Sequence, residues 1–213
     1  MTRINRTDCG TGQLCADEPS ACDPSTGGEC FFLAAKKGRG NNFDFELSGQ
    51  SDGYIAATLS LDGTLGNGDK TYVCANNNGN VRFFGAVYNN SQLTLSPLEV
   101  NSVKGKITGR KIQCTFTASV PVPTTEQTVS QLESPAELTN QVSTAALGAP
   151  KEQYKSPPVD LGNPNATVTN QLSTSTTTKP TTKPTTTSHA ITIQHSLTQA
   201  LLIIVGVLGL NVL

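Results

Sequence analysis

Cysteine carries the most chemistry in this chain. Cys9, Cys15, Cys22 and Cys30 fall within twenty-two residues rich in Asp, Pro, Gly and Ser. Such a segment is too polar to fold around a core of its own, so disulfides are expected to hold it. Three pairings of the four are open. A zinc site is the alternative, but no Cys-x-x-Cys pair and no neighbouring His support it. Cys74 and Cys114 each lie in an alternating run, residues 71–74 and 112–116. A bridge between those two strands would close a loop of about 40 residues and contribute on the order of 3 to 4 kcal/mol in the chain-entropy model.

Other residues point to binding or modification. Asn5, Asn89 and Asn165 each open an Asn-x-Ser/Thr sequon, the acceptor for N-glycosylation. Asp62, Asn67 and Asp69, interleaved with Gly63, Gly66 and Gly68, supply oxygens suited to a hard cation. Their spacing is not that of a calcium loop, and a turn-rich hairpin is the favoured reading. Lys104, Lys106, Arg110 and Lys111 form a small basic cluster. Such a cluster is read first as a solvated strand face, with glycan or phosphate binding as the functional alternative. The only two His, His189 and His195, lie outside the folded candidate. That removes His-based proton transfer, His metal sites and His-ligated haem from the globular part. No metal site or catalytic set is expected. A net charge of −1, with 15 basic and 16 acidic residues, does not suggest a nucleic-acid binder.

The elements that must position these groups are strands. Ten of the eleven Phe and Tyr lie between Phe31 and Phe116, so core-forming material is concentrated before residue 120. Phe43, Phe45 and Leu47 alternate with polar residues, and Ile55, Ala57, Leu59 and Leu61 mark one face of a half-buried strand. Further runs at 81–88, 92–95, 106–108 and 111–120 are bounded by residues 76–80, Asn89-Asn90 and Thr108-Gly109-Arg110, which supply turn chemistry. Phe31-Phe32 and Phe83-Phe84 should each place one ring inward and one outward, with burial under the Cys-rich segment the expected fate of an outward ring. The expected fold is an all-β, disulfide-stapled antiparallel sandwich spanning 31–120, with the Cys-rich segment 1–30 packed on it.

Beyond residue 120 the composition changes. Of the 70 residues from 121 to 190, 32 are Ser, Thr or Pro and Tyr154 is the only aromatic. This stretch is expected to be a disordered, mucin-like stalk, because it offers too little apolar surface to offset its ordering entropy. Residues 191–213 form the tail, of which 197–213 are seventeen residues without a charge. Such a segment reads as a glycosylphosphatidylinositol (GPI) attachment signal with Ser188 as the candidate site, or as a retained membrane anchor. The first residues show no apolar stretch of the signal-peptide kind. The sequons and the even set of cysteines nevertheless point to a secretory product displayed on the extracellular face of the plasma membrane.

The segments Phe43-Asp-Phe-Glu-Leu-Ser-Gly49, Gly53-Tyr-Ile-Ala-Ala-Thr-Leu-Ser-Leu-Asp62, Leu65-Gly66, Asp69, Tyr72-Val-Cys74 and Gly109-Arg-Lys-Ile-Gln-Cys-Thr-Phe116 resemble the DOMON domain. More narrowly, they resemble that domain in the vertebrate ferric-chelate reductases. The resemblance implies an extracellular β-sandwich related to cytochrome and sugar-binding sandwiches. Haem-binding members place a Met and a His on the iron; Leu65 stands at the Met position, and the chain's only Met is Met1. Tyr54, Tyr72 and Tyr88 remain as conceivable oxygen ligands. The expectation is therefore no cofactor: a surface-anchored domain that binds an extracellular protein or glycan, with an electron-transfer component as the alternative.

Overall fold

Alternation of apolar and polar residues dictates strands, and the chain forms eleven: β1 (Leu14–Glu18), β2 (Phe31–Lys37), β3 (Asn42–Gln50), β4 (Tyr54–Ser60), β5 (Asn67–Asn77), β6 (Asn80–Asn89), β7 (Gln92–Leu95), β8 (Val100–Thr108), β9 (Lys111–Ser119), β10 (Thr128–Ser134) and β11 (Lys151–Lys155). The computed structural model describes residues 3–121, 128–134 and 147–172. Two antiparallel sheets result, one of five strands in the order β1-β2-β3-β9-β8 and one of six in the order β11-β10-β4-β5-β6-β7. No α-helix occurs among the described residues.

Turn chemistry fixes the register of the hairpins. Asn78 and Gly79 both have positive φ between the paired Asn77 and Asn80, as a two-residue type I′ connection requires. Asn90 and Ser91 do the same between Asn89 and Gln92.

The inward residues of both sheets form one core. Phe43, Phe45 and Leu47 of β3 meet Ile55, Ala57 and Leu59 of β4, Tyr72 of β5 and Phe116 of β9. At its centre Phe45, Tyr72 and Phe116 stack with centroids 5.0 to 5.8 Å apart, each pair adding about 1 kcal/mol beyond its buried area. Cys74 and Cys114 are joined, and because β5 and β9 belong to different sheets the bridge staples the sandwich across its core. At one edge the sheets approach so closely that a Cβ on Gly105 would lie 2.3 Å from Val81 Cβ, so β8 needs glycine there.

Two expectations are corrected. The sandwich does not end near residue 120, nor is all of 121–190 stalk. Strand β10 pairs with β4 on one side and β11 on the other. Its few apolar residues are both used: Val129 enters the main core and Leu132 a second cluster on the sheet's other face. Its Ser130 and Gln131 are buried but satisfied, Ser130 Oγ donating to the Tyr154 carbonyl (2.9 Å) and Gln131 Nε2 to the Ser48 carbonyl (3.1 Å). Tyr154, Val159 and Leu161 complete the core, and Asn170 Nδ2 ties the last described residues to the Glu18 carboxylate at 2.7 Å. Composition failed here because hydroxyls and amides can enter a sheet when each finds a partner.

The second correction concerns β4, which is buried along its whole length rather than on one face. Tyr54 and Ala56 point into the outer cluster, and Thr58 Oγ1 lies 2.9 Å from Thr71 Oγ1. Leu61, past the strand's end, is exposed rather than core. Phe83 joins the main core, and Phe32 is buried beneath the Cys-rich segment as expected, but Phe84 is not: it packs against the outer cluster of the six-stranded sheet, which that segment does not cover.

Candidate functional site

The Cys-rich segment is built as a cover for half of one sheet. Its bridges are Cys9–Cys15 and Cys22–Cys30, the pairing the sequence left open. With Ile4 they pack on Phe32 and Ala34, which β2 turns outward. Arg6 forms an ion pair with Asp17 and donates to the Cys22 carbonyl at 3.1 Å. This cover reaches β9, whose Lys111 and Gln113 meet its Pro24 and Thr26 carbonyls, and leaves the outward residues of the exposed edge strand β8 beyond it.

A cleft of about 660 Å³ opens at that edge. Its floor is Lys106 and Thr108 of β8 with Lys111 and Gln113 of β9, which register pairs as Lys106 with Gln113 and Thr108 with Lys111. Its wall is Ser25, Thr26 and Gly27 of the Cys-rich segment, Gln50 of β3, Arg3, and Arg110 from the β8–β9 turn. The walls are joined by donors from the sheet. Lys111 Nζ donates to the Pro24 and Thr26 carbonyls, Gln50 Nε2 to the Gly28 carbonyl at 3.1 Å, and Gln113 Nε2 to the Pro24 carbonyl at 3.3 Å.

Three of the four residues of the predicted basic cluster line this cleft, and Lys104 continues the row on β8 without lining it. The sequence missed Arg3, brought in from about a hundred residues away by the cover. No carboxylate among the described residues lines the cleft. Burial lowers the Lys111 pKa, with Asp23 opposing that shift and Arg3 adding to it. Arg110 Nε is held at 2.8 Å by Asp52, which raises its pKa further.

The haem position tests differently. Leu65 lies in the β4–β5 loop, half-buried against the outer cluster of Tyr54, Val73, Ala86, Tyr88 and Leu132, and its side chain has no lone pair to offer. Tyr54 Oη donates to the Gly148 carbonyl (2.8 Å) and Tyr88 Oη to the Glu152 carboxylate (3.0 Å). Burial, followed by Glu152, raises the Tyr88 pKa, and burial pushes Tyr72 up to about 12, so neither phenol is set to become a phenolate ligand. All six cysteines are bridged. The residues present do not fit a haem of the Met/His kind.

The loop of Asp62, Asn67 and Asp69 is self-satisfied. Asp62 accepts from Ser60 Oγ, the Thr64 N–H and Asn67 Nδ2, and Asp69 accepts from the Gly66 N–H, all at 2.7 to 2.8 Å. Those bonds, Asn67 first, hold the Asp62 pKa below the usual range. Gly63, Gly66 and Gly68 all have positive φ there, so the turn reading prevails, and no metal-ligating cluster occurs among the described residues. Asn5, Asn89 and Asn165 are all exposed. Ser188, His189, His195 and the tail lie outside the described residues, among which no helix could cross a membrane.

No family model matches the chain. Over 123 residues it is 32% identical to a Xenopus laevis protein named for ferric-chelate reductase 1, covering 57% of this chain and 20% of that one. The likeness is to vertebrate ferric-chelate reductase 1. A Danio rerio protein named for the same reductase is 31% identical over 130 residues, 59% of this chain and 22% of its own length. The Homo sapiens ferric-chelate reductase 1 is 34% identical over 71 residues, 33% of this chain and 12% of its own. The chain thus spans about a fifth or less of the curated relatives it matches.

Proposed function

We propose that this chain is a cell-surface binding protein: a DOMON-like sandwich of the ferric-chelate reductase 1 type that displays a ligand or partner site and does no redox chemistry of its own. The observation that carries this reading is the contrast in donor chemistry. Position 65 carries Leu, which offers iron no lone pair, and no Met or His stands in the cluster around it, whereas the cleft beside the Cys-rich cover gathers four cations with no carboxylate among the described residues of its lining. Surface display is supported by three disulfides, which persist in oxidising compartments, by three exposed sequon asparagines, and by the uncharged run at 197–213. The membrane partner is that run, as a GPI signal cleaved near Ser188 or as a retained anchor.

The second reading, a haem or electron-transfer component, is favoured by the relatives' name alone. A haemin titration of the full chain, secreted behind an added signal peptide, separates the two. The expected result is no saturable Soret complex, and a stoichiometric complex with a low-spin reduced spectrum would overturn the proposal. For the anchor, release from intact cells by phosphatidylinositol-specific phospholipase is expected, and retention after treatment would assign a spanning segment instead.

A further inference from the structure

We propose that the cleft between the Cys-rich cover and the β8–β9 hairpin binds an acidic saccharide, a sulfated or carboxylated sugar chain gripped by Arg3, Lys106 and Arg110. The inference deepens the binding-domain reading and rests on it. A volume of about 660 Å³ falls in the range of ligand sites, roughly 300 to 1,000 Å³, and exceeds what one small inorganic anion fills.

The lining is a set of donors. Besides its cations it presents the hydroxyls of Ser25, Thr26 and Thr108 and the amides of Gln50 and Gln113, which suits a ligand carrying both charges and hydroxyl groups. Of the four cations only Arg110 is ion-paired with a carboxylate among the described residues. Lys111 is committed to the Pro24 and Thr26 carbonyls and serves as the floor. Asp52 takes the Arg110 Nε, and Arg3 donates to the Ser25 carbonyl at 3.0 Å, but each guanidinium carries four further N–H donors. Lys106, on the exposed face of β8, stands diagonally across from Lys111 in the ladder, so positive charge is spread along the floor rather than converging on one point.

Other anionic partners fit less well. No aromatic ring among the described residues lines the cleft, so it offers neither bases nor neutral sugar faces a stacking platform. A flat bilayer cannot enter a concave site. The chain's net charge of −1 makes the attraction local. Edge strands often carry Lys simply to discourage pairing with other strands. That explains Lys104 and Lys106, but not Arg3 and Arg110 arriving at the same place from a separate segment and a turn.

The test is calorimetric titration of the full, oxidised chain with a heparin octasaccharide, the same oligosaccharide desulfated, inorganic sulfate and phosphatidylserine vesicles. The expected result is saturable binding of the sulfated oligosaccharide that weakens with salt, with the desulfated one at least tenfold weaker. Arg3→Gln and Lys106→Gln should each weaken it about tenfold, the usual worth of a charge-assisted hydrogen bond, while Arg39→Gln and Lys70→Gln, at exposed cations outside the cleft, should not. Binding of sulfate with equal affinity, binding to vesicles alone, or octasaccharide binding unmoved by Arg3→Gln and Lys106→Gln would each overturn the proposal. Absence of octasaccharide binding together with absence of haemin uptake overturns the saccharide alone, whereas haemin uptake overturns the underlying reading.

Discussion

The two outer faces of this sandwich are sealed by different means. On the six-stranded sheet, Tyr54, Ala56, Val73, Ala75, Ala86, Tyr88 and Leu132 form an apolar cluster joined by Leu65 and Leu147. On the five-stranded sheet the apolar patch is small, Phe32 and Ala34 under Ile4, and its cover is a polar segment held by two disulfides. The first face is closed by hydrophobic burial, as a cluster separate from the main core. The second is closed by covalent staples over a small patch, and where that cover stops a polar cleft remains. A stapled cover can position charged walls that a hydrophobic seal would exclude, which is why the proposed binding site lies on the second face.

The largest test of that contrast is truncation. A chain ending at Val120 lacks β10 and β11, leaving β4 as an edge strand with its outer face stripped. It is expected to show no cooperative melt, while the full chain does; a cooperative melt of the short chain would show that residues beyond 120 are dispensable. Next comes the inter-sheet staple: Cys74→Ser with Cys114→Ser should cost about 4 kcal/mol by chain entropy for a separation of 40 residues, read as a denaturant midpoint against wild type.

Leu132→Ala and Ile4→Ala sharpen the comparison, since both side chains are fully buried. Each should cost about 3 kcal/mol. The Leu132 loss should appear as global destabilisation, whereas the Ile4 loss should appear in hydrogen exchange as local opening of the Cys-rich segment, with the sheets still protected. Global unfolding by both variants at the same denaturant concentration would erase the distinction.

The smallest effects come from polar groups. Tyr154 Oη is buried without a partner among the described residues, so Tyr154→Phe should be neutral or stabilise by about 1 kcal/mol; a loss would mean that the hydroxyl is satisfied. Glu46 faces the Cys-rich cover, and burial, followed by Asp8, raises its pKa. A raised folded pKa means that the contribution of Glu46 is fully present below its unfolded pKa and is lost as pH rises through the folded value. Glu46→Gln should therefore stabilise by under about 1 kcal/mol at neutral pH, given solvent screening, and by nothing in acid. Unchanged stability at neutral pH would contradict the assigned burial.

Strands β3 to β9 were legible because Phe43, Phe45, Leu47, Ile55, Ala57, Leu59, Ile112 and Phe116 alternate with polar residues and Asn-Gly or Asn-Asn turns separate the runs. Strand β10 was not, because its pattern of Thr, Ser and Gln becomes strand-like only when its neighbours satisfy those side chains. Tyr154, the lone aromatic of its region, was the available signal. Half of the cleft was legible as a run of Lys and Arg; Arg3 and Ser25 to Gly27 were not, since their approach depends on Cys22–Cys30 and on Lys111 reaching carbonyls 85 and 87 residues away.

The most direct test of the account is hydrogen exchange on the full chain, with and without the heparin octasaccharide. Added protection is expected at residues 24–28 and 105–113, with the loop around Leu65 unchanged. Protection centred on residues 62–69, or none anywhere despite binding, would contradict it.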